Sequence, residues 1–368
     1  MRPLSIGHTE ASMGWGGQEI RILTEARGFL DRGHRMALYA APGSRIAAEA
    51  PGYGVPLVTL PIGRKRPAGV AALARALKVA RHDVVNTHSS TDSWLAAVAS
   101  RTMRDPPVLV RTRHVSVPVP NDPGTRWLYR KATARVVTTG EALRMQLVRD
   151  NGLDPARVES IPTGIDASAY AALPQDEARR LVGLPLDVPI VGIVATLRSW
   201  KGHRHLLDAL AKSSSSEAVL AIVGDGPQRE ALERHVDALG LFGRVRFAGQ
   251  QREVGPWLGA LDVFALPSTA NEGVPQALLQ AMFAGIPCVT TAAGAIPEIA
   301  RDGDTALVVP AGDPAALAAA IDRLFADRAL GARLASAARA FVTPRFGLAT
   351  MLDRMDAAFR RAIEDAKR

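Results

Sequence analysis

The sequence predicts an α/β protein made of two doubly wound domains, and three observations carry that prediction. Short apolar runs alternate with longer segments of helical periodicity along the whole chain. The alternation occurs twice, on either side of the turn Ile161-Pro162-Thr163-Gly164-Ile165-Asp166 and a variable stretch up to Leu186. The chain has 368 residues, too many for one ordinary core and suited to two.

The elements follow in order. The N-terminus Met1-Arg2-Pro3-Leu4-Ser5-Ile6-Gly7-His8 is too short and polar for a signal peptide and reads as a first strand entering a loop. Strands are expected at residues 36–40, 84–86, 108–112 and 136–138 in the first half. In the second half they are expected at 190–195, 219–223, 245–247, 263–266 and 288–290. Helical periodicity marks 70–79 and 230–239, and 351–368 forms a charged amphipathic helix. The serine run 213–216 reads as a surface loop, because a strand follows it at once. The expected division is 1–165, 166–345 and a terminal helix, 346–368. In such sheets ligands bind beyond the carboxyl ends of the strands, so two such domains imply a cleft between them.

Composition narrows the function classes. Hydrophobic residues make up 47% and charged residues 22%, ordinary for a globular protein. No run reaches the roughly 18 apolar residues of a membrane span. The single cysteine, Cys288, makes neither an internal disulfide nor a cysteine-rich metal site. These features predict a cytoplasmic protein. Net charge is +9 and unevenly spread. Residues 1–165 hold 23 Lys+Arg against 13 Asp+Glu, a difference of +10, and the remainder hold 22 against 23, a difference of −1. A basic half attracts nucleic acid, an anionic membrane or an acidic substrate. No zinc-finger spacing or RNA-binding aromatic motif accompanies it, which argues against nucleic acid.

Four constellations follow strands and carry chemistry. Gly14-Trp15-Gly16-Gly17-Gln18-Glu19 opens a helix, where bare glycines and free N–H groups admit a phosphate. Its spacing is not the Gly-x-Gly-x-x-Gly of a dinucleotide fold. Thr196-Leu197-Arg198-Ser199-Trp200-Lys201-Gly202-His203 sets two cations on one loop, where they can hold a diphosphate and neutralise its charge as it leaves. Gly224-Asp225-Gly226-Pro227 is a turn on which a base or ribose can pack. In the last, Leu266 to Met282, Glu272 precedes Gly273 and Val274 at the mouth of a helix. Gln280 lies eight residues on, just over two turns, so it is expected to face the same side as Glu272. Asp302-Gly303-Asp304 reads as a surface turn rather than a metal site. His88 suits cleft contact or plain packing equally. Arg126-Trp127-Leu128-Tyr129-Arg130-Lys131 mixes cations and aromatics, as a membrane-surface helix or a helix packed on its own domain would.

The stretch from Glu272 to Gln280 resembles the Glu-x7-Glu signature of retaining glycosyltransferases of family 4, which have the GT-B fold of two facing Rossmann-like domains. The resemblance covers almost the whole chain. The segment from Val158 to Asp166 is similar to the family's Pro-Asn-Gly-Val-Asp turn, and Lys201-Gly202 to its Lys-Gly. Gly224 to Pro227, Val245-Arg246-Phe247-Ala248-Gly249, and Gly285-Ile286-Pro287-Cys288-Val289 followed by Glu298 fall in the family's order. The resemblance implies that Lys201 binds the donor diphosphate and that Glu272 contacts the transferred sugar, with the amides of Gly273 and Val274. It implies that Gly16 and Gly17 face the diphosphate, that His114 lies near the sugar, and that Glu298 sits near the base or ribose or caps a helix. It also implies no metal and no cofactor beyond the nucleotide-sugar co-substrate. Three positions depart from the pattern. Gln280 stands for the second Glu, Thr196 for an Arg that Arg198 can replace, and Thr163 for the turn Asn.

The expected function is transfer of a sugar from a nucleoside diphosphate to a glycan or glycolipid acceptor, with retention, in cell-envelope or lipopolysaccharide biosynthesis. The acceptor is expected to be anionic and the protein to touch the inner membrane face peripherally. Two rivals stand beside it: a sugar-nucleotide 2-epimerase of the same fold, and a non-catalytic sugar-nucleotide-binding subunit.

Overall fold

The computed structural model describes residues 2–115, 117–170 and 173–367; Met1 and Arg368, the ends of the first and last expected segments, lie outside the described residues. The chain forms two compact units, Met1–Gly164 with Leu348–Arg368, and Ile165–Gly347.

The first unit is built on seven parallel strands: β1 (Ser5–Glu10), β2 (Arg35–Ala40), β3 (Leu57–Thr59), β4 (Val84–Thr87), β5 (Val108–Arg113), β6 (Arg135–Thr138) and β7 (Val158–Ser160). Their order is β3-β2-β1-β4-β5-β6-β7. Ile6 registers with Met36 on one side and Val84 on the other. Helices cover the sheet, so central strands are buried and read as apolar runs: Ile6, Leu38, Val84, Val110 and Val137 are fully buried.

The helix Leu348–Lys367 belongs to this unit although it ends the chain. Met351, Leu352, Met355, Ala358, Phe359 and Ala362 recur at three- and four-residue steps and are buried. Phe359 packs 5.7 Å, centroid to centroid, from Phe29 of the helix Gly17–Asp31. Leu352 presses on Gly28 of that helix, where a Cβ would stand 2.4 Å from Leu352 Cδ1. Arg135 of β6 donates to Asp365 at 2.7 Å and to Glu159 at 3.0 Å, tying the helix's last turn to the sheet.

The segment of cations and aromatics is the helix Pro123–Trp127 and a following turn, Leu128–Ala132. Leu128 and Tyr129 are buried, Trp127 stacks on Trp94, and the Arg111 guanidinium lies 4.8 Å from the Tyr129 ring centre. Its apolar side packs on its own unit.

The second unit has six parallel strands: β8 (Ile190–Val194), β9 (Val219–Val223), β10 (Val245–Gly249), β11 (Val263–Leu266), β12 (Cys288–Thr290) and β13 (Leu307–Val308). Their order is β10-β9-β8-β11-β12-β13. Ser213 and Ser214 form a loop whose hydroxyls both donate to Asp322.

Three strands escape the sequence reading: β3, β7 and β13. All three are two or three residues long and lie at sheet edges. An edge strand is paired on one side only and needs no long apolar run, so Val158-Glu159-Ser160 looks like the start of a turn.

Phe359→Ala should remove about 3–5 kcal/mol from the first unit, since the ring is fully buried between helix and sheet. Urea unfolding followed by circular dichroism should show that unit's transition move to lower denaturant.

Candidate active site

Strand order reverses once in each sheet, between β1 and β4 and between β8 and β11. Loops leaving the carboxyl ends of such a strand pair turn opposite ways and open a crevice. Buried polar side chains gather at both places.

In the second unit the loop after β8 carries Lys201 and the loop after β11 carries Glu272. Lys201 Nζ donates to both carboxylate oxygens, at 2.7 and 2.9 Å. Ser268 Oγ donates to Glu272 Oε1 at 2.6 Å. Glu272 is buried and Lys201 partly so. The loops themselves are fixed. Thr269 N donates to Trp200 O at 2.8 Å, Thr291 Oγ1 to Ser268 O at 2.5 Å and Ala295 N to Glu272 O at 3.1 Å. Gly202 holds φ +79°, and a Cβ there would lie 2.0 Å from Pro267 O. Only glycine lets the two loops approach this closely, which is why Gly follows Lys201.

The other expected residues fall around this pair. Arg198 is exposed, 5.9 Å from the Trp200 ring centre, and its carbonyl accepts from Lys201 N. Gly224 and Gly226 hold φ +139° and +157°. A Cβ on either would strike the Ala195 carbonyl or the Leu197 backbone. These glycines are therefore needed by the β8 loop, and the turn Gly224–Pro227 is built against it. Gly273 and Val274 are buried just beyond Glu272. Glu298 closes the short helical turn Ile296–Glu298, which follows the Ala295 contact to Glu272.

One expectation is corrected. Gln280 does not share a helix with Glu272. The helix is Gln276–Ala284 with Pro275 before it, so Glu272 stands in the loop, and Asn271 beside it takes a left-handed φ of +60°. Proline at 275 suits a helix entry, and the preceding residues are free to fold over the strand end. The eight-residue spacing therefore does not stack the two side chains by helical geometry. Gln280 is half-buried on the helix's second turn.

In the first unit Gly16 and Gly17 open the helix Gly17–Asp31, Gly16 in extended backbone. Glu10 accepts from Ser12 N at 2.7 Å and from Gln18, shaping the glycine loop. Burial pushes Glu10 well up and Glu19 up from the ordinary carboxylate range. His114 follows β5 and joins His88, which follows β4: His88 Nδ1 and His114 Nε2 are 3.0 Å apart. His88 Nε2 in turn lies 2.8 Å from Nδ1 of His8, inside β1. Asp92 holds this end together, accepting from His88 N at 2.9 Å and from Thr9 Oγ1 at 2.6 Å. His114 and His88 stand out in the sequence as residues that follow strands; His8, Asp92 and the buried Glu25 of the helix Gly17–Asp31 do not. The available signal was the polar run His8-Thr9-Glu10 in a strand buried throughout.

Asp302 accepts from Val308 N at 2.9 Å, as a turn residue does. Among the described residues no group of three or more His, Cys, Asp or Glu side chains could hold a metal ion. Among them no helix is long and apolar enough to cross a membrane.

Comparison with known proteins gives two family matches, "Glycosyltransferase Family 4" over residues 15–169 and "Glycosyl transferases group 1" over 188–327. The chain is 29% identical to a 2-deoxystreptamine N-acetyl-D-glucosaminyltransferase of Streptomyces fradiae, over 91% of this chain and 89% of that one. It is 31% identical to a D-inositol 3-phosphate glycosyltransferase of Xylanimonas cellulosilytica, over 74% and 71%. It is 33% identical to the lipopolysaccharide core biosynthesis glycosyltransferase LpsE of Rhizobium meliloti, over 48% and 51%. Among solved structures, Anabaena HepE in complex with UDP-glucose superposes with a TM-score of 0.86 at 23% identity, covering 97% of this chain and 100% of that one.

His203, next to Gly202, is buried. Burial, then the Lys201 charge, lowers its pKa from 6.5 to about 4. Between those values the unfolded chain binds a proton that the folded one refuses. The stability present above pH 6.5 is therefore lost toward pH 4, by roughly 1.4 kcal/mol per pH unit. His203→Leu should flatten the fall in urea midpoint over that range relative to the unchanged protein.

Proposed function

The chain belongs to the group 1 glycosyltransferases, glycosyltransferase family 4, and from that membership we propose that it moves a sugar from a nucleoside diphosphate to an acceptor hydroxyl with retention of anomeric configuration. The Lys201–Glu272 pair at the strand-order reversal of the second unit carries this reading. The carboxylate accepts from sugar hydroxyls, and the ammonium donates to diphosphate oxygens. Amides of Gly273 and Val274 lie beside Glu272 for the same ligand, Gln280 and Glu298 serve the nucleotide, and Gly224 and Gly226 shape the neighbouring turn. In the first unit, Gly16 and Gly17 offer N–H groups at a helix start, and His114 contacts a sugar hydroxyl.

The step is a front-face displacement. The bond from the anomeric carbon to the diphosphate oxygen breaks, the acceptor oxygen bonds to that carbon, and the acceptor's proton passes to the departing phosphate. Arg198 and Lys201 stabilise the charge that develops on it. Those cations take the part a metal would play, so the reading requires no metal and no cofactor. The solved relative named in complex with UDP-glucose supports a nucleotide-sugar donor.

The acceptor we propose is anionic. The +10 excess of residues 1–165 supports this. So do relatives named for lipopolysaccharide core and for D-inositol 3-phosphate. We place the protein in the cytoplasm, in peripheral contact with the inner membrane face. Contact of that kind predicts binding to anionic vesicles that weakens as salt rises.

UDP-, GDP- and ADP-sugars should be screened by thermal shift, since a ligand that binds only the native state raises its melting temperature. The donor so found should yield product only with an acceptor present; epimerised sugar nucleotide from donor alone would overturn the transferase reading. Lys201→Ala should lower turnover about a hundredfold at saturating donor. Turnover like that of the unchanged protein would remove Lys201 from the site.

A further inference from the structure

Behind His114 the first unit buries a row of polar groups, three imidazoles in hydrogen-bond contact and beyond them a carboxylate and a guanidinium at ion-pair distance. His8, Arg21 and Glu25 are fully buried and His88 nearly so. His114 Nε2 meets His88 Nδ1 at 3.0 Å, and His88 Nε2 meets His8 Nδ1 at 2.8 Å. The ring planes of His8 and His88 lie 12° from parallel with centres 5.0 Å apart, which with the 2.8 Å N···N distance sets the rings end to end rather than face to face. At the far end His8 Nε2 stands 3.7 Å from Glu25 Oε1, and Glu25 Oε2 stands 3.5 Å from Arg21 Nε. Arg21 also donates to Ile161 O at 2.7 Å.

Burial holds all three imidazoles neutral. It lowers His8 to about 3 and pushes His88 and His114 well down, with neighbouring cations and imidazoles adding to the effect. A neutral imidazole has one N–H and one lone pair. Two consecutive N···N contacts therefore allow only two arrangements, with every N–H pointing toward Glu25 or every one pointing away. Arg21 decides between them. Burial pushes the Glu25 carboxyl up and the adjacent Arg21 pulls it back down. The guanidinium stays charged, and a fully buried cation needs a counter-ion, so we take Glu25 as its carboxylate. A carboxylate facing His8 Nε2 favours an N–H there and repels a lone pair. His8 Nδ1 is then an acceptor, His88 must donate from Nε2, and His114 must donate from Nε2 in turn.

We propose that the Arg21–Glu25 ion pair, acting through His8 and His88, fixes His114 as its Nε2–H tautomer and keeps Nδ1 of that half-buried ring as an acceptor for a hydroxyl of the bound sugar. Glu25, His8 and His88 are positioning residues in this scheme: none touches the ligand, and their effect reaches it through the proton on one ring. The part of the inference that concerns sugar binding rests on the function proposed above. The tautomer does not.

The test has two arms on the full chain. Nitrogen-15 spectra of histidine-labelled protein without ligand distinguish a protonated from a bare ring nitrogen. They should find the His114 proton on Nε2. His8→Phe keeps a ring but cuts the chain, and a second form with the proton on Nδ1 should appear. Glu25→Gln removes the charge and should do the same, which keeps the test open if either variant fails to fold. A proton on Nδ1 in the unchanged protein, or an unaltered His114 signal in the folded variants, overturns the proposal. In the kinetic arm, with the donor found by thermal shift, kcat should fall roughly tenfold in these variants while the donor KM stays within about twofold. Full kcat with an altered tautomer overturns the link to sugar binding. If the unchanged protein transfers no sugar at all, the function fails, and the spectra still decide the tautomer.

Discussion

The reversal of strand order is the constraint from which the chemistry of this chain follows. In each unit two adjacent parallel strands, β1 with β4 and β8 with β11, send their chains away in opposite directions. Backbone that would otherwise close over the strand ends diverges, and side chains placed just after those strands converge in the gap. Lys201 and Glu272 meet there in the second unit. Thr9, His88 and Asp92 meet there in the first. Polar groups in such a gap lose water and turn to one another, as Lys201 does with Glu272 and as Thr9 and His88 do with Asp92.

The two clusters solve that problem differently. In the second unit a cation and an anion pair directly, and the Ser268 hydroxyl takes up further capacity of the carboxylate. Both charged groups are of the kind that recognise phosphate and sugar hydroxyls, which is why the proposed donor site is centred on them. In the first unit the charges lie deeper, at Arg21 and Glu25, and only neutral imidazoles reach outward from them. A neutral chain carries direction without carrying net charge. That suits a residue whose proton has to sit on one nitrogen rather than the other.

The terminal helix shows how far apart in sequence these supports lie. Residues after 347 pack on the helix that the glycine loop opens, through Phe359 on Phe29 and Leu352 on Gly28. Arg21, on that same helix, reaches the turn at Ile161 and the sulfur of Met355. The anchor of the histidine chain thus depends on a segment more than three hundred residues away.

Much of this architecture was legible in the residue pattern. Buried central strands must be apolar on both faces, so 190–195 and 219–223 announced themselves, as did the helices between them. The loops bearing Lys201 and Glu272 could be found because chemistry in such sheets follows strand ends. The edge strands β3, β7 and β13 could not, because half-exposed backbone of two or three residues places little demand on sequence. Nor could the position of Glu272 relative to Gln280, since a spacing of eight implies one face only if the helix has already begun, and Pro275 starts it later.

What the sequence by itself determined was the alternation of elements, the place of the polar residues after particular strands, and the family to which that order corresponds. Period and composition act locally, and those features are local. What only the tertiary structure decided was partnership: that Lys201 holds Glu272, that Gly224 and Gly226 make room for the β8 loop, and that His8, buried in the first strand, links Glu25 to His114. Such pairings join residues tens to hundreds of positions apart. Their energies come from burial and from distances of about 3 Å, which exist only once the strands are side by side.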